Sequence, residues 1–357
     1  MPCLDKIDIK SLTLPELKAE LVQMGEKPFR AGQIYRWLHH GGDSHRRAGS
    51  FRDMTDISAS LAEKLDQRFY ISCLDIRRRL VSKLDGTVKY LFGLSDGNSI
   101  EAVVMRYKYG NSLCISTQVG CRMGCKFCAS TLAGWVRNLS PSEMLDEVYT
   151  AEADTGEKIA SLVLMGIGEP LDNYDNVIRF LELLSSEEGE NLSLRHVSLS
   201  TCGLVDRIYD LMELKLGLTL SISLHAPNDA IRSQTMPINQ KYNVEALLKS
   251  CRDYFARTGR RISFEYALIE GVNDSPQCAG ELAALLKGMP CHVNLIPVNP
   301  VKERGFRRGS RQNILRFQKL LADRGVNATI RRELGSDINA ACGQLRRETE
   351  QVEGLRG

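Results

Sequence analysis

From about residue 111 onward, strand-forming runs alternate with helical ones, and this alternation limits the possible folds more than any other feature. Strands are expected over 112–117, 161–165, 196–200, 218–224, 261–268, 292–297 and 327–331. Helical stretches lie between them, among them 142–153, 173–184, 244–256 and 279–286. Seven strands separated by helices imply parallel βα units and an α/β class. A dinucleotide-type sheet would need a third glycine after Gly166 and Gly168, where the chain has Leu171. A partial TIM-like barrel of (β/α)6 type fits better, and such barrels build their sites at the C-terminal ends of the strands.

Before this region the pattern differs. Residues 1–70 read as a helical accessory domain. Thr13-Leu14-Pro15-Glu16 is a helix start with a cap, an early proline and an acidic first turn. A second helix is expected over 30–39 and a third over 57–69. Residues 71–110 are rich in strand formers broken by Asp85-Gly86 and Asp96-Gly97, which predicts a β-hairpin extension. The barrel is expected over 111–300, and 301–357 forms a C-terminal segment with the last strand. That segment carries thirteen Lys and Arg against seven Asp and Glu, although the whole chain has a net charge of only +3. Together with Arg77-Arg78-Arg79 it is a candidate for phosphate contacts. A solvated charged face is the commoner meaning of such tracts. No apolar run approaches the roughly 20 residues that span a bilayer, and the N-terminus has no apolar signal core, so a cytoplasmic protein with no membrane partner is expected.

Eleven cysteines, with no secretory signal, argue against a disulfide scaffold. Most read as buried small hydrophobes, but Cys121-Arg-Met-Gly-Cys125-Lys-Phe-Cys128 does not. Its three thiolates follow the first barrel strand in a polar, glycine-containing loop. Zinc would need a fourth ligand, for which Cys114 is the nearby candidate. A redox C-x-x-C leaves Cys121 unexplained. A 4Fe–4S cluster with three protein ligands leaves one iron open, and spacing and position favour it.

Three cysteines at this spacing, with Phe127 before the third, resemble the signature of radical S-adenosylmethionine (SAM) enzymes. The strings LCISTQVGCRMGCKFCAS, MGIGEPLDN, SLST, SISLHAPND, NLIPVNP and DINAACGQLR, with KPFRAGQIYRWLH near the start, resemble one family over essentially the whole chain. That family is the dual-specificity 23S rRNA and tRNA adenine carbon-2 methyltransferases. A sister branch methylates carbon 8 of the same rRNA adenosine and confers antibiotic resistance. Carbon 2 of adenine lies between two ring nitrogens and is too electron-poor to attack a sulfonium methyl, so a radical cofactor is needed.

The resemblance implies roles residue by residue. Cys121, Cys125 and Cys128 would hold the 4Fe–4S cluster, whose open iron binds the amino and carboxylate groups of SAM. Gly168, Glu169, Ser200, Ser223, Leu224, His225 and Asn299 would contact SAM. Individually these have ordinary meanings, as turns, caps or structural groups; their shared position at one end of successive strands raises them. Cys342 would be methylated first, to S-methylcysteine, and then give up a hydrogen to the deoxyadenosyl radical from a second SAM. Glu101 would be the proton acceptor. Cys114 would resolve the protein–RNA adduct through a transient disulfide with Cys342.

The same resemblance implies 23S rRNA and tRNA as partners, a flavodoxin or ferredoxin-type electron donor and a monomer. Tyr107 and Tyr109 are candidates for stacking on bases. Two readings of other classes stand against this: a small iron–sulfur electron carrier, and a zinc-stabilised RNA-binding or ribosome-assembly module with Cys114 as fourth ligand. The nearest rival within the class is the carbon-8 methyltransferase.

Overall fold

The computed structural model describes residues 6–41, 47–299, 301 and 303–340. The N-terminal part is a small helical unit: β1 (Ile7–Asp8), α1 (Leu14–Gln23), α2 (Arg30–His39), α3 (Ala59–Arg68) and β2 (Phe69–Tyr70). The α1 start forms the full capping box, because the Thr13 N–H donates to the Glu16 carboxylate at 2.8 Å while the Glu16 N–H donates to the Thr13 hydroxyl. Helix α3 begins two residues later than the periodicity predicts. Ser58 accepts the Leu61 N–H and so acts as the cap, leaving Ile57 outside. The unit ends where Phe69 turns extended and pairs in parallel with Ile7. Its core of Ile9, Leu17, Leu21, Ile34, Leu38, Leu65 and Phe69 is separate from the main one.

The expected hairpins are present as β3 (Asp75–Val81), β4 (Val88–Gly93), β5 (Ser99–Tyr107) and β6 (Gly110–Cys114), all antiparallel. They do not form a separate layer. Strand β6 also pairs in parallel with the next long strand and so joins the hairpins to the barrel in one sheet. A short hairpin, β7 (Gln118–Gly120) with β8 (Trp135–Asn138), follows. Then come α4 (Pro141–Thr155), β9 (Ile159–Leu164), α5 (Tyr174–Ser185), β10 (Val197–Thr201), α6 (Val205–Glu213), β11 (Thr219–Ser223), α7 (Asp229–Thr235), α8 (Val244–Thr258), β12 (Ile262–Leu268), α9 (Pro276–Leu286), β13 (Cys291–Pro297), α10 (Arg311–Ala322) and β14 (Ala328–Ile330). The sheet runs β14-β13-β12-β11-β10-β9-β6-β5-β4-β3, with its seven parallel strands in chain order. The fold is therefore α/β with a mixed sheet, and the antiparallel extension continues one edge of it.

Alternate strand residues divide the two faces. Leu199, Leu220, Ile222, Phe264, Tyr266, Val293 and Leu295 pack into the helix-covered core. Their neighbours Ser200, Ser223, Glu265, Ala267 and Ile296 line a cavity on the other face. A parallel sheet buried on both sides usually reads as continuous hydrophobic runs. Polar residues at every second position mark a concave, solvated face. The Arg77–Arg79 knot is partly used within the fold: Arg77 donates to Ser99 Oγ and Gly97 O, and Arg79 pairs with Asp154 at 2.6 Å.

Candidate active site

The cysteine loop is built by the β7–β8 hairpin. Gly120 has φ +80°, and a Cβ there would lie 1.9 Å from the Gly134 carbonyl, so this close approach requires glycine. The Cys121 N–H donates to that same carbonyl at 3.0 Å. Thr131 Oγ1 donates to the Cys125 or Cys128 carbonyl, and the Lys126 N–H donates to Thr235 O at the end of α7. Phe127 packs edge-on against His225, ring centroids 4.9 Å apart. The loop is thus closed by its own hairpin and anchored to α7. It presents all three thiols to one cavity of about 270 Å³. Burial pushes the Cys121 thiol up to about 12 and the Cys125 thiol higher, and nearby Cys128 raises both further. Uncompensated thiolates would be unstable here, and a cationic metal centre removes that penalty by displacing the protons.

The strand ends form the opposite wall. Gly168 has φ +115°, and a Cβ there would meet Thr117 and Gln118 at 2.7–2.8 Å. The Glu169 carboxylate accepts the N–H groups of Leu171 at 3.0 Å and Cys202 at 2.7 Å, while burial raises its pKa. This fixes an acceptor at the junction of β9 and β10, in the cavity wall. Ser200, Ser223 and Asn299 line the same space. His225 has φ +54°, a costly conformation for a residue with a Cβ. Its Nδ1 accepts the Ala267 N–H at 2.9 Å, and Asn273 holds its carbonyl at 2.7 Å. Burial, with Arg232 adding to it, lowers the His225 pKa to about 3, so the ring is neutral and carries its proton on Nε2. Leu224 is the exception among the expected SAM contacts. Its side chain lies in the helix-facing core, and its N–H donates to Glu265 O.

A second cavity, about 240 Å³, adjoins the first and shares Met165, Ile296, Asn299 and Arg331 with it. Cys114, buried at the end of β6, lines this one. It packs with Val103 and Met105, and Leu334 and Ala340 cover the group. The segment before Ala340 is docked on the β3–β4 hairpin. Asp337 accepts from Ser82 Oγ at 2.7 Å and the Lys83 N–H at 2.9 Å, and Asp85 accepts the Gly335 N–H at 2.9 Å. Glu101 is not solvent-facing; it is 2 % exposed and pairs with the fully buried Lys89 at 3.0 Å. Lys89 also donates to the Asn339 carbonyl at 2.9 Å. Cys342, three residues further on, lies outside the described residues. No disulfide joins the described cysteines.

Two family models match the chain: the radical SAM superfamily over residues 115–277 and the ribosomal RNA large subunit methyltransferase N-terminal domain over 7–71. A probable dual-specificity RNA methyltransferase RlmN from Lachnoclostridium phytofermentans is 54 % identical over 343 residues, covering 96 % of this chain and 95 % of the relative. One with the same name from Alkaliphilus oremlandii is 54 % identical over 345 residues, covering 97 % and 99 %. The chain belongs to the dual-specificity RNA methyltransferases of the radical SAM superfamily. A solved radical SAM methyltransferase from Sphaerobacter thermophilus agrees, with a TM-score of 0.88 at 41 % identity over 95 % of this chain and 98 % of that one.

As a radical SAM RNA methyltransferase, the protein is an enzyme that uses SAM and an iron–sulfur cluster, and the electron-carrier and zinc-module readings are set aside. Cys114 lines the neighbouring cavity, whereas the three loop thiols, Cys121, Cys125 and Cys128, line the first one together. Sequence reasoning missed Glu265 and Arg331, which also line the SAM-side cavity. Glu265 could have been found by extending to β12 the inward alternation that marks Ser200 and Ser223.

Proposed function

We propose that this methyltransferase acts on carbon 2 of adenosine in 23S rRNA and in tRNA, using Cys342 as methyl carrier and two SAM molecules per turnover. The observation that carries the reading is the pairing of cavities. A thiol, Cys114, lines a chamber that shares walls with the cysteine-loop cavity and is covered by the segment leading to Cys342. Cys121, Cys125 and Cys128 would hold a 4Fe–4S cluster, and Glu169, Ser200, Ser223, His225 and Asn299 would surround SAM. When bound, the cluster supplies the electron that converts SAM into a deoxyadenosyl radical; a flavodoxin or ferredoxin-type protein would provide that electron.

The chain's own residues do the rest. Cys342 Sγ takes a methyl group from the first SAM and becomes S-methylcysteine. Loss of a hydrogen atom from that methyl leaves a carbon radical, which adds to carbon 2 of the base. Glu101, buried beside the segment leading to Cys342 and set by Lys89, takes the carbon-2 proton, and the adduct radical returns its odd electron to the flavodoxin or ferredoxin-type redox system that supplied one, leaving a closed-shell thioether between Cys342 and the base. Cys114 Sγ then attacks Cys342 Sγ. The S–S bond forms, the S–C bond breaks, and the released carbon keeps the electron pair and gains a proton to become the methyl group. A thiol reductant reopens the disulfide. The target base must leave its stack to enter, which favours loosely folded RNA. The described residues contain no helix long and apolar enough to cross a membrane, and the reading places the enzyme in the cytoplasm as a monomer. Nucleoside mass spectrometry of rRNA and tRNA treated with reconstituted enzyme tests it: 2-methyladenosine in both supports the proposal, and 8-methyladenosine overturns it.

A further inference from the structure

Arg232, on α7, is a fully buried arginine at 0 % exposure, and among the described residues none of its direct hydrogen-bond partners is a carboxylate. Its guanidinium is instead surrounded by neutral acceptors. Nη2 donates to Cys202 O at 2.7 Å and Ser223 O at 3.3 Å, Nε donates to Leu224 O at 3.2 Å, and Nη1 donates to Asn239 Oδ1 at 3.0 Å and Tyr242 O at 3.4 Å. Asp229, on its own helix, offsets part of the charge from a distance but makes no ion pair with it, and its Oδ1 accepts from Asn239 and the Val244 N–H. These hydrogen bonds satisfy the donors but leave the charge only partly offset, and a buried charge without a paired counter-charge is costly.

The surroundings show where a counter-charge would sit. Cys202, whose carbonyl receives the shortest of these bonds, packs with Cys125 and Met236, and Met123, Phe127 and Cys128 close the group. Cys202 and Ser223 both line the cysteine-loop cavity. The loop itself is tied to α7 through the Lys126 N–H and Thr235 O, at 2.8 Å. Arg232 therefore stands one residue layer behind the loop thiols, in a dry, tightly packed setting where electrostatic effects are weakly screened.

We propose that Arg232 is the built-in counter-charge of the iron–sulfur cluster, a positioning residue that raises the cluster's reduction potential. This rests on the cluster assignment above. Three thiolates on a 4Fe–4S core carry net charge −1 when oxidised and −2 when reduced. A fixed cation behind them stabilises the reduced form more, so the single electron is accepted at a less negative potential. The same guanidinium ties the ends of β10 and β11, but a purely structural tie would not depend on its charge.

The test is a redox titration of reconstituted, anaerobic full-length protein, followed by electron paramagnetic resonance of the reduced cluster, with iron content measured alongside. Arg232→Gln should make reduction at least tenfold less favourable, a shift of 59 mV or more to negative potential. Arg232→Lys should stay within threefold of the wild type. If the Gln variant does not fold, Asn239→Asp covers the case. It sets a carboxylate against Nη1 with the arginine in place and should move the potential in the same direction. A Gln or Asp variant that binds iron with an unshifted potential would overturn the proposal, as would a Lys variant shifted as far as Gln. Failure of the wild type to bind iron would instead overturn the cluster assignment itself.

Discussion

The two adjoining cavities are built in opposite ways. The cysteine-loop cavity takes its walls from one contiguous loop and from consecutive strand ends, held by buried hydrogen bonds between neighbouring strand ends such as those of Glu169 and His225. The Cys114 cavity is assembled from parts more than 200 residues apart, with β5 and β6 on one side and residues 331–340 on the other. Its closure depends on a few polar contacts to the β3–β4 hairpin, including a buried ammonium shared by Glu101 and Asn339. The contrast suits the two proposed roles. Binding a cofactor calls for a fixed frame, whereas a carrier residue must meet both SAM and RNA, so its loop should be held by contacts that can be exchanged.

The largest effect should come from breaking the fixed cavity. Cys125→Ala is expected to abolish iron binding and SAM cleavage together, since the second cavity cannot act without the first. Iron analysis and deoxyadenosine production by chromatography check this. The next largest separates the two chambers. Lys89→Met leaves the Glu101 carboxylate buried without its ammonium and should destabilise the protein by about 3–5 kcal/mol. Denaturant unfolding would measure that loss. Iron content per folded chain should stay at the wild-type level, because Lys89 lines neither wall of the loop cavity.

A smaller effect belongs to a region remote from both chambers. His39, fully buried where the helical unit meets α4, hydrogen bonds Tyr149 at 2.8 Å. Burial lowers its pKa from 6.5 to about 3. The unfolded chain binds the proton more readily than the folded one, so this contribution is complete above pH 6.5 and is lost as pH falls. At pH 5 the loss is about 2 kcal/mol. His39→Gln should flatten the pH dependence of unfolding between pH 6.5 and 5 by about that amount. An unchanged slope would mean that other groups set it.

The same contrast explains what could be read from the sequence. Helix starts, hairpin turns and the seven parallel strands follow from local patterns, and the structure has them within a few residues. The thiol loop and Gly168-Glu169 are contiguous motifs at a strand end, so their place in one cavity was legible. Contacts between distant segments were not. The burial of Glu101 could not be read locally, because its partner Lys89 lies across a strand pair and Asn339, which shares that ammonium, comes from the far end of the chain. Leu224 sits between two cavity-lining residues, but the strand alternation turns it into the core. Arg232 carries no signal in the local sequence, because its enclosure comes from β10, β11 and the segment around Asn239 and Tyr242.

The relay between Cys114 and Cys342 is the central claim, and one variant tests it most directly. Cys114→Ala should keep its cluster and methylate Cys342, yet stop after the carbon radical has added to the base. The purified protein should then carry RNA covalently attached through Cys342. This would appear as a shifted band on denaturing gels that collapses with ribonuclease, and as a nucleotide-bearing peptide by mass spectrometry. A Cys114→Ala protein that holds its cluster, forms S-methylcysteine and releases methylated RNA with no adduct would contradict the account.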